Sequence, residues 1–245
     1  MRRWWWWWRL AAAAMGFVPA VVLAGPPYKT DDPEPTDLGH YEIYAFTSLE
    51  GAAGDRSAAA GLDLNYGPVK DVQLTATLPL SFDRPRGARW SGGAGDVELG
   101  AKYRFLKNEA RGRSLAIFPR IIVPTARRAV GAGRVRLLLP VWGQQDFGKW
   151  SLFGGGGFEL NPGAGNRNFW QAGVAITRDI GHGVALGGEV THQGPDADDA
   201  EVSTSLGLGS IIHLRGPYSL LVSAGPSFTP SHSGLHAYTA LGLNF

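Results

Sequence analysis

The chain contains no cysteine in 245 residues, which excludes disulfide scaffolds, thiol catalysis, iron–sulfur clusters and cysteine-based zinc sites. Charge is also scarce. Only 18% of residues are charged and 44% are hydrophobic, too apolar a balance for a disordered protein. Beyond residue 24 no apolar run approaches the ~20 residues of a spanning helix, so the remainder is not a helical membrane protein. Helical periodicity is hard to find, and 35 glycines argue against long helices.

The first residues carry Arg2, Arg3 and Arg9 around the run Trp4 to Trp8, with no anion. An apolar stretch from Leu10 to Val22 follows, and Val22-Leu23-Ala24 offers a cleavage-like site. This pattern predicts a secretory signal peptide over residues 1–24; the alternative is an uncleaved anchor from Trp4 to Leu23 with Arg9 snorkelling. The formal charge of +2 belongs to this segment. It holds three of the 23 basic residues and none of the 21 acidic ones, leaving 20 cations against 21 anions. Five of the nine Trp go with it, so neither charge nor Trp content supports a nucleic-acid partner. Nothing explains five consecutive Trp.

Period-2 alternation recurs between clusters of Gly, Pro, Asn and Asp. It predicts strands at about 40–49, 57–66, 71–82, 95–106, 114–124, 135–146, 150–160, 168–179, 184–193, 201–214, 218–228 and 236–245. Val72, Leu74, Ala76, Leu78 and Leu80, for example, alternate with Gln73, Thr75 and Thr77. A soluble sandwich and a membrane barrel share such alternation, with the faces reversed. Connection lengths separate them. Tight links after strands 2, 6, 8 and 10 alternate with mostly longer, polar links after the odd strands, as in an up-and-down barrel; the link Lys107 to Arg113 breaks the rule by being long. Tyr66, Phe105, Phe147, Trp150, Phe169, Trp170, Tyr218 and Phe228 fall near strand ends, where interfacial aromatic girdles sit. The expectation is an all-β, antiparallel, up-and-down transmembrane β-barrel of about 12 strands over residues 40–245. Residues 25–39 are a periplasmic leader, more readily mobile than folded into the barrel mouth.

Longer matches point to a family. Gly25-Pro26-Pro27-Tyr28-Lys29-Thr30-Asp31-Asp32-Pro33-Glu34-Pro35, Gly39-His40-Tyr41-Glu42, Leu64-Asn65-Tyr66-Gly67 and Gly95-Asp96-Val97-Glu98-Leu99-Gly100 are four of them. Lys102-Tyr103-Arg104-Phe105, Leu139-Pro140-Val141-Trp142 and Gly187-Gly188-Glu189 continue the series. Together they resemble the meta-pathway phenol-degradation proteins, outer-membrane barrels of transporter type. One departure is Ala126, where the family pattern has Gly after Pro-Thr. The resemblance implies a bacterial outer-membrane location and passive passage of small, aromatic or hydrophobic molecules, without catalysis or cofactor. The final strand ending on Phe245 resembles an outer-membrane assembly signal, which implies the barrel-assembly machinery as a partner.

Glu42, Asp63, Glu98, Lys102, Arg104, Arg120, Glu159 and Glu189 share the face opposite the apolar stripe, so a barrel places them in its lumen. There they either pair into a structural ladder or line a polar path. Arg84, Arg86, Arg89, Arg127, Arg128 and Arg134 fall on outer loops, suited to lipopolysaccharide phosphates or to plain solvation. Asp196, Asp198 and Asp199 are too few ligands for a convincing cation site, and no metal is expected. His232, Ser233 and His236 hint at a lipid hydrolase. No acid follows them to orient a base, so loop chemistry is the better reading. The runner-up to a transporter is a non-conducting barrel that binds envelope partners.

Overall fold

A computed structural model describes residues 27–126, 131 and 133–245. The proposed signal peptide at 1–24, and Arg127 and Arg128, lie outside the described residues. Fourteen strands follow in order: β1 (Tyr41–Ala52), β2 (Asp55–Val69), β3 (Val72–Arg84), β4 (Ser91–Ala94), β5 (Val97–Asn108), β6 (Arg113–Ile117), β7 (Arg120–Val123), β8 (Arg136–Phe147), β9 (Trp150–Leu160), β10 (Phe169–Gly181), β11 (Val184–Gln193), β12 (Ser203–His213), β13 (Tyr218–Phe228) and β14 (Ser233–Asn244).

Two pairs of these are single wall strands with a local break. β3 pairs with β5 at Thr77↔Glu98 and with β4 at Leu80↔Ala94, a one-residue slip across Gly95-Asp96. β6 and β7 both lie between β5 and β8, parted by Phe118-Pro119. Proline has no N–H to give the ladder, yet its carbonyl accepts from Ala101 and Phe118 N–H donates to Pro140, so pairing runs through the break. The last strand returns to the first, from Glu42↔Asn244 to Ala52↔Gly234. The result is a closed antiparallel barrel of 12 strands, in which the short β4 pairs with β3 alone among the described strands.

One end carries short turns such as Lys70-Asp71, Gly148-Lys149 and His182-Gly183; the other carries longer loops. The expected exception after Asn108 vanishes. β5 and β6 both run further than the alternation suggests, leaving a single 3-10 turn Glu109–Arg111. Asn108 caps its start, and Gly112 closes it at φ 59, a left-handed geometry cheap only for glycine. The loop end has an exception instead: β1 and β2 are joined by Ala53-Gly54 alone.

The outer face carries Leu62, Leu74, Leu78, Leu80, Leu99, Val174, Leu206 and Leu241, all exposed. An apolar band running along every wall strand is what lipid requires. Inside, the wall is mostly polar along β2 to β7 and mixed elsewhere, with Glu159, Glu189, Ser223 and His236 buried alongside apolar groups. Phe46, Ala59, Leu221 and Ala240 form a buried cluster with Tyr44, Ile211 and Tyr238 against it. Trp142 and Leu138 are also buried. A Cβ at Gly155 would overlap the Val141 carbonyl and meet the Trp142 ring at 3.0 Å, so that glycine leaves room for the indole. Phe169 departs from the girdle expectation, because its phase turns it inward, where it is buried. Tyr41 stacks on both Tyr66 and Phe245 at the turn end, and Phe158 packs on Trp170 at the loop end.

Candidate functional site

The leader, expected to be mobile, is folded into the lumen over its described residues. Its own sequence explains why. Asp31, Asp32 and Glu34 are interleaved with Pro33 and Pro35, which hold the chain extended, while the wall facing them carries buried cations. Burying those cations is tolerable only beside carboxylates.

Asp31, with a side chain 1% exposed, is the centre of the contact. One of its oxygens accepts from Lys102 Nζ at 3.0 Å, the other from Arg120 Nη2 at 2.6 Å. Lys102 also donates to the backbone carbonyls of Asp32 (2.9 Å) and Glu34 (3.2 Å), so all three of its protons are used. Arg120 reaches Glu98 at 3.2 Å and lies over the Phe118 ring at 4.0 Å. Glu34 pairs with Arg104 and accepts from Ser114 Oγ at 2.7 Å; Arg104 in turn holds Asp71 at the turn end. Nearer the mouth, Thr36 donates from its N–H and hydroxyl to Gln73 Oε1 at 2.8 and 3.0 Å.

On the opposite wall, Glu189 of β11 accepts from the Thr30 N–H at 2.9 Å, the Thr30 hydroxyl at 3.0 Å and the Lys29 N–H at 3.0 Å. Lys29 Nζ pairs with Glu50 at 2.6 Å, and Ser223 Oγ donates to the Pro27 carbonyl at 2.5 Å. Tyr28 packs with Phe153 and Ala175. Burial, with the Glu189 charge nearby, pushes its hydroxyl up to about 12, so it stays neutral. Glycines make the seat. A Cβ at Gly187 would come 2.5 Å from Tyr28 Oη, and one at Gly173 would overlap the Thr30 hydroxyl.

All eight charged positions assigned to the lumen face it, though they fall into separate groups. Lys102, Arg104, Arg120 and Glu98 meet the leader's acids or one another; Glu189 holds Thr30 across the barrel. Glu159 pairs with Arg136 at 2.9 Å, Glu42 accepts from Tyr44 Oη at 3.2 Å, and Asp63 from Thr77 Oγ1 at 3.1 Å. Beside the leader lies a cavity of about 80 Å³ lined by Asp31, Asp32, Glu42, Asp63, Glu98, Lys102 and Arg120, among others. That is room for a few waters.

Sequence reasoning missed Asp31, Glu34, Thr36 and Gln73 as site residues. The available signal was glycine at inward positions, Gly173 and Gly187, which leaves a groove where a wall would otherwise carry side chains. At the loop end, Arg84 closes β3, Arg86 and Arg89 lie between β3 and β4, and Arg134 precedes β8. The Asp196 loop is organised by backbone: its carbonyl accepts from Asn161 and Arg167. His232, Ser233 and His236 do not converge. His236 faces the lumen and is buried, whereas His232 sits in the β13–β14 loop with its Nδ1 2.7 Å from Ser231 Oγ. An acid does reach this loop, Glu201, but it accepts from that same serine at 2.7 Å instead of orienting the imidazole from its far side.

No protein-family profile matches the chain, and no curated protein matches it. Solved structures match in shape. An outer membrane channel from Pseudomonas putida F1 superposes with a TM-score of 0.73 at 16% identity, covering 87% of this chain and 98% of that one. The translocator domain of autotransporter NalP from Neisseria meningitidis has a TM-score of 0.58 at 13% identity, covering 85% of this chain and 90% of that one. The NanC porin also reaches 0.58, at 8% identity over 82% of this chain and 98% of its own. This likeness establishes the fold, that of outer-membrane channel and porin barrels.

Proposed function

We propose that the chain is a channel of the bacterial outer membrane, with its turn end toward the periplasm, and that it passes small molecules through a narrow lumen occupied by its own leader. The observation that carries this is what fills the barrel. In a purely structural barrel, side chains fixed to the wall do the filling. Here a separate segment does it, held by hydrogen bonds and ion pairs that can be exchanged for water. The wall it leaves is polar on one side and lined by Phe46, Tyr44 and Tyr238 on the other. Such a two-sided path suits small molecules with an aromatic body and a polar group, in keeping with the resemblance to phenol-degradation barrels.

The test is permeation. Proteoliposomes of the purified chain should swell faster than empty liposomes in small aromatic alcohols and should not in disaccharides. Equal rates in both lipid preparations overturn the proposal. One observation favours a non-conducting barrel: Lys29, Lys102, Arg104, Arg120 and Arg136 each meet a carboxylate, so the filled lumen is already electrostatically satisfied. That reading expects no conductance steps in planar bilayers, whereas the channel expects small, salt-dependent ones.

A further inference from the structure

The lumen cations just named are paired; a group of cations outside the barrel is not. Arg56 of β2 and Arg84 of β3 are directly opposite each other in register and both point outward, at the loop-end rim. Like charges facing across an antiparallel pair repel. Arg86 lies alongside, its stem over the β1–β2 tip at Gly54, and Arg89 is exposed on the same loop. Among the described residues none of these four guanidinium groups meets a carboxylate within ion-pair distance. Arg84 instead lies 5.6 Å from the centre of the Trp90 ring, itself exposed. Below them on the same outer face come Phe82, Leu80, Leu78 and Leu62, all exposed.

We infer that this rim patch is a binding site for the phosphate groups of a lipid A-type glycolipid in the outer leaflet. The patch faces sideways above an apolar wall, so its occupant must carry anionic oxygens at headgroup level and acyl chains along Leu80 and Leu62. A bridging phosphate removes the Arg56–Arg84 repulsion and offers each guanidinium a bidentate partner. Trp90 marks the interface depth at which an amphipathic ring settles. The site needs the barrel to lie in the outer membrane and does not need it to conduct, so failure of permeation and failure of lipid binding are separate outcomes.

The experiment uses the full chain in detergent micelles with bisphosphorylated lipid A as the probe, read by native mass spectrometry. Arg56→Gln with Arg84→Gln should weaken binding at least ~tenfold, the loss expected for removing charge-assisted contacts. Arg178→Gln should not change it, because Arg178 lies over Trp150 at the opposite rim. Dephosphorylated lipid A should not bind. Retention of lipid by the double variant, equal loss in the Arg178 variant, or equal binding of the dephosphorylated lipid overturns the inference. Displacement of the lipid by millimolar inorganic phosphate also overturns it, in favour of a free-phosphate site. Gel migration of the unheated double variant as a folded barrel shows that the loss is not misfolding.

Discussion

Replacing Asp31 by Asn isolates the interaction that holds the leader. The carboxylate receives charge-assisted hydrogen bonds from Lys102 and Arg120, all three side chains being 4% exposed or less. Asn keeps the size and one acceptor oxygen, but it turns an NH₂ toward one of the cations and removes the charge they share, leaving Lys102 beside Asp32 at 3.6 Å and Arg120 beside Glu98 at 3.2 Å. Breaking a buried pair from one side costs about 3–5 kcal/mol. Glu34–Arg104, Thr36–Gln73 and Thr30–Glu189 still tether the segment, so the barrel stays folded while the balance between seated and withdrawn leader shifts. The low end of that range is roughly a hundredfold in population. The absence of native cysteine makes the assay simple. Thr30→Cys introduces the sole thiol at a position 1% exposed, and its labelling rate by a bulky, water-soluble maleimide reports withdrawal. In that background Asp31→Asn should raise the rate by about two orders of magnitude and increase bilayer conductance. Unchanged labelling with intact barrel migration would refute the view that the Asp31 contacts hold the leader in place.

Gly173→Ala should also displace the leader, because the nearest atoms its methyl meets belong to the side chains of Thr30 and Thr191; limited proteolysis of the 27–37 segment should speed up with no fall in barrel melting temperature. Gly155→Ala should act on the wall, overpacking Val141 and Trp142 at a cost of about 1–3 kcal/mol, visible as a lower temperature for loss of the compact band on unheated gels. Phe46→Ala empties the centre of the apolar lumen cluster and should lower stability by about 3–5 kcal/mol in urea titrations. If Phe46→Ala leaves the midpoint unchanged, the cluster is not a core in any energetic sense.

The wall is largely legible in the residues alone. Its twelve segments emerge from alternation between immediate neighbours, and a strand pointing apolar groups outward and polar groups inward writes that fact into every second residue. Legibility fades where both faces are apolar. Arg136 to Trp142 runs Arg-Leu-Leu-Leu-Pro-Val-Trp, so the inward turn of Leu138, Pro140 and Trp142 leaves no mark in the pattern. Phe169 is a different case: the alternation of Trp170, Ala172, Val174 and Ile176 sets its phase inward, and only its place at a strand end points to the girdle.

By itself, then, the sequence determined the chemistry of the chain: no cysteine, an apolar stripe on each strand, an acidic Pro-rich leader, and a set of strand charges on the face opposite that stripe. Where the leader goes was decided only in three dimensions. Asp31 meets Lys102 across 71 positions and Thr30 meets Glu189 across 159, and no local pattern encodes such pairings. Closure of the barrel is what brings those distant groups within bonding distance. Once water is displaced from that narrow interior, the wall's buried cations need carboxylates, and the nearest unspent ones are on the leader.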